Sequence, residues 1–253
     1  MAGVRTGTGA GYRARMTTTR TERITAPDGG LFDGHLAVPE LGSGPGLLLI
    51  QEIGGVNGYI REVAARLAAL GYVVLAPDAF WRVRPNYELE VFTPEGLGEA
   101  MGIAGQFDPA TGVPDLAAAL DHLRTVPEVT GGVGVIGFCF GGTMSYLLAA
   151  AADPAVAVSY YGSGVAGALD HAPSITCPIL FHFGGADPYL PAEDVERIRA
   201  ATAAMANAEI LVQPDAGHAF DNHLSEMFSD PEAAVAAWGR TVSFLAEHLP
   251  VSS

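Results

Sequence analysis

One cysteine lies in a glycine-rich hexapeptide, Gly137-Phe138-Cys139-Phe140-Gly141-Gly142, directly after the apolar run 133–136 and before the apolar stretch 144–151. A strand-to-helix turn of this kind lifts a single side chain above a sheet, with glycine at both flanks because a Cβ there would collide with neighbouring chain. The start of the following helix favours a thiolate and offers backbone N–H groups to an oxyanion. The chemistry implied is nucleophilic attack on an acyl carbon. A free cysteine is more often a small buried hydrophobe, so its companions decide. Asp187 follows the apolar run 179–183 in Gly184-Gly185-Ala186-Asp187-Pro188, and His218 follows the run 209–212 in Gln213-Pro214-Asp215-Ala216-Gly217-His218-Ala219-Phe220. Nucleophile, acid and histidine thus occur in that chain order, each in a loop after a strand-like run. Read singly, Asp187 would be an Asp-Pro turn and His218 a loop histidine; Asp215 is a less well placed substitute acid. Glu52 follows the four apolar residues 47–50, where a carboxylate is out of place without a partner.

The elements that must position these residues alternate from Glu22 onward between short apolar runs and longer stretches at helical spacing, the pattern of an α/β domain with a mostly parallel sheet. Residues 31–38 alternate and end at Pro39, which predicts an early antiparallel edge strand. The runs 47–50, 72–76, 133–136, 156–160, 179–183 and 209–212 are continuous, as in strands buried on both faces. Ile60, Val63, Ala64 and Leu67 mark one helix with Gly71 at its C-terminal cap. Val235, Trp238, Val242 and Leu245 mark another, with Asp230 as N-cap and Pro231 at its first position. The segment 82–112, with three prolines and five glycines, is expected to pass over the C-terminal ends of the strands, where open parallel sheets bind ligands. Gly132, Gly134 and Gly137 spell GxGxxG, but they flank and enter a strand rather than open a helix, and no acidic residue lies about 20 positions on. A dinucleotide site is therefore not expected.

Composition narrows the field. The formal net charge is −15, and all 13 Lys or Arg side chains are arginine. Nucleic acid and anionic membrane surfaces would be repelled, and Schiff-base chemistry and the P-loop both need a lysine. No apolar run approaches the roughly 18 to 20 residues of a membrane span. Two cysteines, Cys139 and Cys177, make no disulfide framework at this length, and free thiols suit a cytoplasmic location. His218 and His223 have no third spaced ligand, so no metal is expected, and no other cofactor is implied. Residues 1–20, with Arg5, Arg13, Arg15 and Arg20 among Gly and Thr, lack an apolar h-region and are expected to form a disordered extension, with Met16 an alternative start. A single domain is expected over 21–249.

GFCFGG around Cys139, the segment Gln51-Glu52-Ile53-Gly54-Gly55-Val56-Asn57 and AGHAF around His218 together resemble the dienelactone hydrolase (carboxymethylenebutenolidase) family of the α/β-hydrolase fold, over roughly residues 21–249. The resemblance implies a mostly parallel central sheet with helices on both faces. It implies a cofactor-free hydrolase of small lactones or esters working through a thioester on Cys139, with His218 and Asp187 completing the triad. Glu52 would interact with the resting thiol and control its activation, and the backbone N–H groups of Phe140 and Ile53 would form the oxyanion hole. Gly54 stands where the family usually has an aromatic residue. Of the two arginines that bind a substrate carboxylate in dienelactone-specific members, Arg82 matches the first while Asn222 occupies the second position, which implies a relaxed substrate range. Trp81 and Tyr161 are candidate apolar walls. A broad carboxylesterase or thioesterase, or a non-catalytic ligand-binding or thiol-sensing member of the fold, are the alternatives, and the chain is expected to be a monomer or homodimer.

Overall fold

The computed structural model describes residues 17–89 and 91–252. Eight strands form one sheet: β1 (Thr18–Thr25), β2 (Leu31–Val38), β3 (Gly44–Ile50), β4 (Val73–Pro77), β5 (Val129–Phe138), β6 (Ala157–Tyr160), β7 (Ile179–Gly184) and β8 (Ala208–Gln213), in the spatial order β1-β2-β4-β3-β5-β6-β7-β8. β1 with β2 and β2 with β4 pair antiparallel, and the remaining pairs are parallel. The C-terminal ends of β3 to β8 therefore open onto one edge of the sheet, where the loops carrying Glu52, Cys139, Asp187 and His218 begin.

Because successive strand residues point to opposite faces, the apolar runs supply two cores. Leu48 and Ile50 pack with α3 (Pro109–Thr125), α4 (Phe140–Ala151) and α5 (Ala192–Thr202) on one face. Leu47 and Leu49 pack with α1 (Gly58–Ala69) and α6 (Pro231–His248) on the other. α1 is capped by Asn57, whose side chain accepts from the Ile60 amide, and ends before Gly71 at φ +104°. α2 (Pro94–Ala104) lies in the 82–112 segment. The three glycines of GxGxxG all fall inside β5, where they make no helix-opening turn.

Three details depart from the sequence expectation. β2 is not an edge strand, because β1 covers its outer side with eight paired positions; β1 starts at Thr18, before the expected boundary at 21. Residues 1–16 of the expected extension, Met16 among them, lie outside the described residues. Glu209–Val212, expected to be buried on both faces, belongs to the outermost strand β8, every residue of which is partly exposed. Finally, α6 is rotated from the expected stripe: Val235 is 74% exposed, while Ala233, Ala237, Thr241, Phe244 and Leu245 face the core.

Thr241 explains that rotation. Its buried hydroxyl lies 2.7 Å from Tyr160 Oη and 2.9 Å from His182 Nε2, satisfying two polar atoms inside the sheet. Burial pushes the His182 pKa down to about 3, so the ring is neutral here. Thr241→Val keeps the shape but leaves both partners unsatisfied, which costs about 1 to 3 kcal/mol for each such group. Urea unfolding of the variant should show a loss of that order, and an unchanged midpoint would remove this role.

Candidate active site

Cys139 occupies the turn between β5 and α4 at φ +53°, in the left-handed region. A non-glycine there is strained and persists where the surroundings over-determine it. Those surroundings are present: the Cys139 amide donates to Tyr160 O (3.0 Å) and the Gly141 amide to Gln51 O (3.0 Å). A Cβ on Gly137 would run into the Gly141 carbonyl, and one on Gly141 into the Ile50 carbonyl. Tyr161 at φ +38° and Ala219 at φ +53° are also left-handed non-glycines, so three of the five such residues among those described lie at this site.

Across the sheet edge, Cys139 Sγ lies 3.0 Å from His218 Nε2, and His218 Nδ1 lies 2.7 Å from Asp187 Oδ2. The other Asp187 oxygen accepts from the Tyr189 amide (2.8 Å). Edge-on contacts hold the imidazole between Tyr161 and Tyr189, with ring centroids 5.3 and 5.0 Å away. Burial by itself would lower the His218 pKa, but hydrogen bonds to Asp187 and Cys139, with their negative charges, raise it to about 10. Asp215, the alternative acid, is exposed. Cys177 is buried at the foot of β7, and burial pushes its thiol up to about 11.

Glu52 also faces this pocket and is only 5% exposed. Its carboxylate accepts from Asn222 Nδ2 (2.7 Å) and from Tyr161 Oη (3.2 Å), while the cysteine sulfur is turned to His218. Desolvation raises the Glu52 pKa to about 7 against the pull of those two hydrogen bonds and of His218.

The pocket, of about 260 Å³, is walled by Ile53, by Phe92, Leu97, Met101 and Ala104 from the 82–112 segment, and by Ser163, Tyr189, Ala219 and Phe228. Phe140 starts α4, so its amide has no intrahelical partner.

The four residues expected to bind substrate are placed differently from that expectation. Arg82 and Trp81 are not in the pocket wall: Asp115, buried on α3, receives Arg82 Nε (2.6 Å), Arg82 Nη2 (2.9 Å) and Trp81 Nε1 (3.0 Å), and Asp28 takes Arg82 Nη1 (2.7 Å). Trp81 is stacked on Phe32 at 5.3 Å. Asn222 and Tyr161 are fully buried behind the pocket and hold Glu52 instead of forming its wall. The sequence reading missed the lining residues of α2, although it placed their segment over the strand ends. It also missed Tyr189, which stands two residues after Asp187. Among the described residues, no group of three or more His, Cys, Asp or Glu side chains is arranged to hold a metal ion, and no helix is long and apolar enough to cross a membrane.

The Glu52 site has a consequence for stability. Its folded pKa lies above the ordinary 4.5, so the folded state binds the extra proton. The stability this confers is complete below about pH 4.5 and is lost as pH rises through about 7. Glu52→Gln removes that dependence. Measured by chemical denaturation, the variant should gain on wild type between pH 5 and pH 8 by on the order of 2 kcal/mol. A difference that stays constant with pH would show that Glu52 does not titrate in this window.

The dienelactone hydrolase family model matches residues 32–249. A carboxymethylenebutenolidase of Pseudomonas sp. (strain P51) is 37% identical over 231 residues, covering 91% of this chain and 96% of that protein. Carboxymethylenebutenolidase 1 of Cupriavidus pinatubonensis is 33% identical over 223 residues, covering 88% and 94%. Among solved structures, a dienelactone hydrolase-like promiscuous phosphotriesterase from metagenomic libraries superposes with a TM-score of 0.75 at 26% identity, covering 91% of this chain and 99% of that one. With the sheet order, the turn at Cys139 and matches that span nearly the whole chain, the protein belongs to the dienelactone hydrolase family, hydrolases of the α/β-hydrolase fold.

Proposed function

We propose that the protein hydrolyses small neutral esters or lactones through a thioester on Cys139. The observation that carries this reading is the unbroken line from Asp187 Oδ2 through His218 to Cys139 Sγ, with links of 2.7 and 3.0 Å. A nucleophile, a base and a group that orients the base, all within hydrogen-bond reach, are the arrangement that activates a side-chain nucleophile. The raised His218 pKa and the helix start at Cys139 both support a thiolate–imidazolium pair.

The thiolate attacks the carbonyl carbon, and the carbonyl electron pair moves onto oxygen. The amides of Phe140 and Ile53 receive that oxyanion, a stabilisation typically worth about 2.7 to 4 kcal/mol per donor. Collapse breaks the C–O bond, and the leaving alkoxide takes the Nε2 proton of His218; from a lactone it stays attached to the acyl group. Neutral His218 then removes a proton from water, the resulting hydroxide attacks the thioester, and collapse returns the acid and the thiolate–imidazolium pair. Asp187 holds Nδ1–H throughout, which keeps Nε2 aimed at the sulfur.

The wall supports neutral substrates. Ile53, Phe92, Leu97, Met101 and Phe228 are apolar, and among the described residues lining the pocket there is no arginine. Arg82 is held by Asp115 and Asp28, and the net charge of −15 opposes anions generally.

Cys139→Ala should lower kcat/KM on an aryl ester by about 10³-fold or more, and Cys177→Ala should leave it near wild type. An acyl adduct trapped by rapid acid quench should map by mass spectrometry to the peptide carrying Cys139. Equal losses in both variants, or an adduct elsewhere, would overturn the assignment. On matched neutral and anionic lactones, wild type should favour the neutral one, and Arg82→Ala should leave the ratio unchanged. A preference for the anion that Arg82→Ala abolishes would show that Arg82 reaches the substrate.

A further inference from the structure

On the side of Glu52 away from the pocket, two tyrosines join it to a second buried carboxylate. Tyr161 Oη donates to Glu52 Oε1 (3.2 Å), Tyr59 Oη donates to Asp221 Oδ2 (2.8 Å), and the two hydroxyl oxygens face one another at 3.4 Å. Tyr59 and Tyr161 are fully buried, Asp221 is 2% exposed and Glu52 5%. The four come from α1 and from the loops after β3, β6 and β8, so the tertiary fold alone makes the row.

A tyrosine has one hydroxyl hydrogen. With both carboxylates ionised, those two hydrogens point outward and none remains between the tyrosine oxygens. One proton taken from solvent onto Glu52 repairs this. Glu52 then donates to Tyr161, Tyr161 to Tyr59 and Tyr59 to Asp221, so every gap holds one hydrogen and one buried charge remains instead of two. A second proton would make both acids donors and leave one hydrogen without an acceptor in the row. We infer that Glu52 and Asp221 act as one acid holding a single proton through the two tyrosine hydroxyls, with Asp221, Tyr59 and Arg66 as positioning residues that set the charge Glu52 presents to the pocket.

The surrounding groups decide which end takes the proton. Asp221 faces Arg66 Nη1 of α1 at 3.4 Å, with the guanidinium stacked 3.7 Å over Trp238 of α6. His223, which also contacts Tyr59 and Glu62, and Tyr160 of β6 lie on the same side. The nearby cation favours an ionised Asp221, against the burial that raises its pKa. Glu52 is held by the neutral donors Asn222 and Tyr161, and the charge of His218 is shared with Cys139 and Asp187. The proton therefore resides on Glu52. Burial raises both carboxyl pKa values, as expected where ionising both is costly. On the catalytic reading above, a neutral Glu52 leaves the thiolate and the oxyanion unopposed, whereas an ionised one sets a negative charge beside them.

Infrared titration of the full chain, following the C=O stretch of a protonated carboxyl group, tests the row without requiring turnover. Wild type should show one such band titrating in the neutral range, and Glu52→Gln should abolish it. In Asp221→Asn the repelling charge is gone, and the amide can donate so that both tyrosine hydrogens point toward Glu52. In Tyr59→Phe the row cannot close. Both should lower the midpoint of the Glu52 band by about one pH unit, the scale of one hydrogen bond to a charged group. Arg66→Gln removes the cation that opposes protonation of the row, so its midpoint should rise while part of the Glu52 band passes to Asp221. Arg66 is partly exposed and Tyr59→Phe is isosteric, so these variants report even if Asp221→Asn folds poorly. The bend in the kcat/KM pH profile that Glu52→Gln removes should shift with the band. A midpoint unmoved in Tyr59→Phe and Arg66→Gln, or a band that survives Glu52→Gln, would overturn the inference. Retention of hydrolysis in Cys139→Ala would instead overturn only the catalytic reading.

Discussion

The left-handed turn at Cys139 is the constraint on which the site depends. A cysteine at φ +53° costs of order 1 to 3 kcal/mol, and the sheet supplies what holds it there. β5 lies between β3 and β6, buried where it reaches the turn. Its continuation is tied to both neighbours through the Cys139 amide on Tyr160 O and the Gly141 amide on Gln51 O. Those two bonds also fix where the next residues of the neighbouring loops begin. Tyr161 and Glu52 follow the two accepting carbonyls directly in the chain, so the bonds that hold the strained turn also bring the carboxylate and its tyrosine to the sulfur. A side chain at Gly137 or Gly141 would force these backbones apart.

Charge is distributed unevenly around that turn. The chain carries −15 overall, yet its pocket is walled mainly by apolar side chains, and the arginine that comes next to the sheet edge in sequence is neutralised elsewhere. Asp115 on α3 takes two donors from Arg82 and one from Trp81. A charge-assisted bidentate pair of this kind is among the stronger polar contacts, and it tethers the start of the 82–112 excursion to the α3 face of the sheet. The excursion then returns across the strand ends as α2, which supplies Leu97, Met101 and Ala104 to the pocket. One ion pair thus removes a cation from the site and anchors the segment that makes the site apolar.

Much of this arrangement follows from local pattern. Continuous apolar runs announce a mostly parallel sheet because a strand covered on both faces cannot carry polar side chains at low cost. The two glycines flanking Cys139, and Asp187 and His218 placed just beyond such runs, bring the three side chains to one edge of the sheet, since parallel strands all point the same way. The stop of α1 at Gly71 and the Asp230-Pro231 start of α6 are equally local, the latter because a capping side chain bonds amides only two or three residues away.

What the sequence could not express is pairing across long separations. β8 reads like the inner strands but lies at the rim, because strand order is set by pairing between segments far apart in the chain. Thr241 takes a core position on α6 ahead of Val235 because two buried atoms, 59 and 81 residues away in the chain, need its hydroxyl. Arg82 is absent from the pocket wall because its guanidinium is held by Asp115, 33 residues on. Asn222, Tyr161, Tyr59 and Asp221 show no periodicity or motif, and they become a network around Glu52 only when four separate chain segments meet. Sequence by itself determined the strands from β2 onward, the turn and the order of the reactive residues, since these rest on side-chain period and short-range hydrogen bonds. β1 is not read as a strand from the sequence. Tertiary structure alone decided which polar groups are paired, and therefore which charges reach the pocket, because burial and partnership are properties of residues brought together from distant parts of the chain.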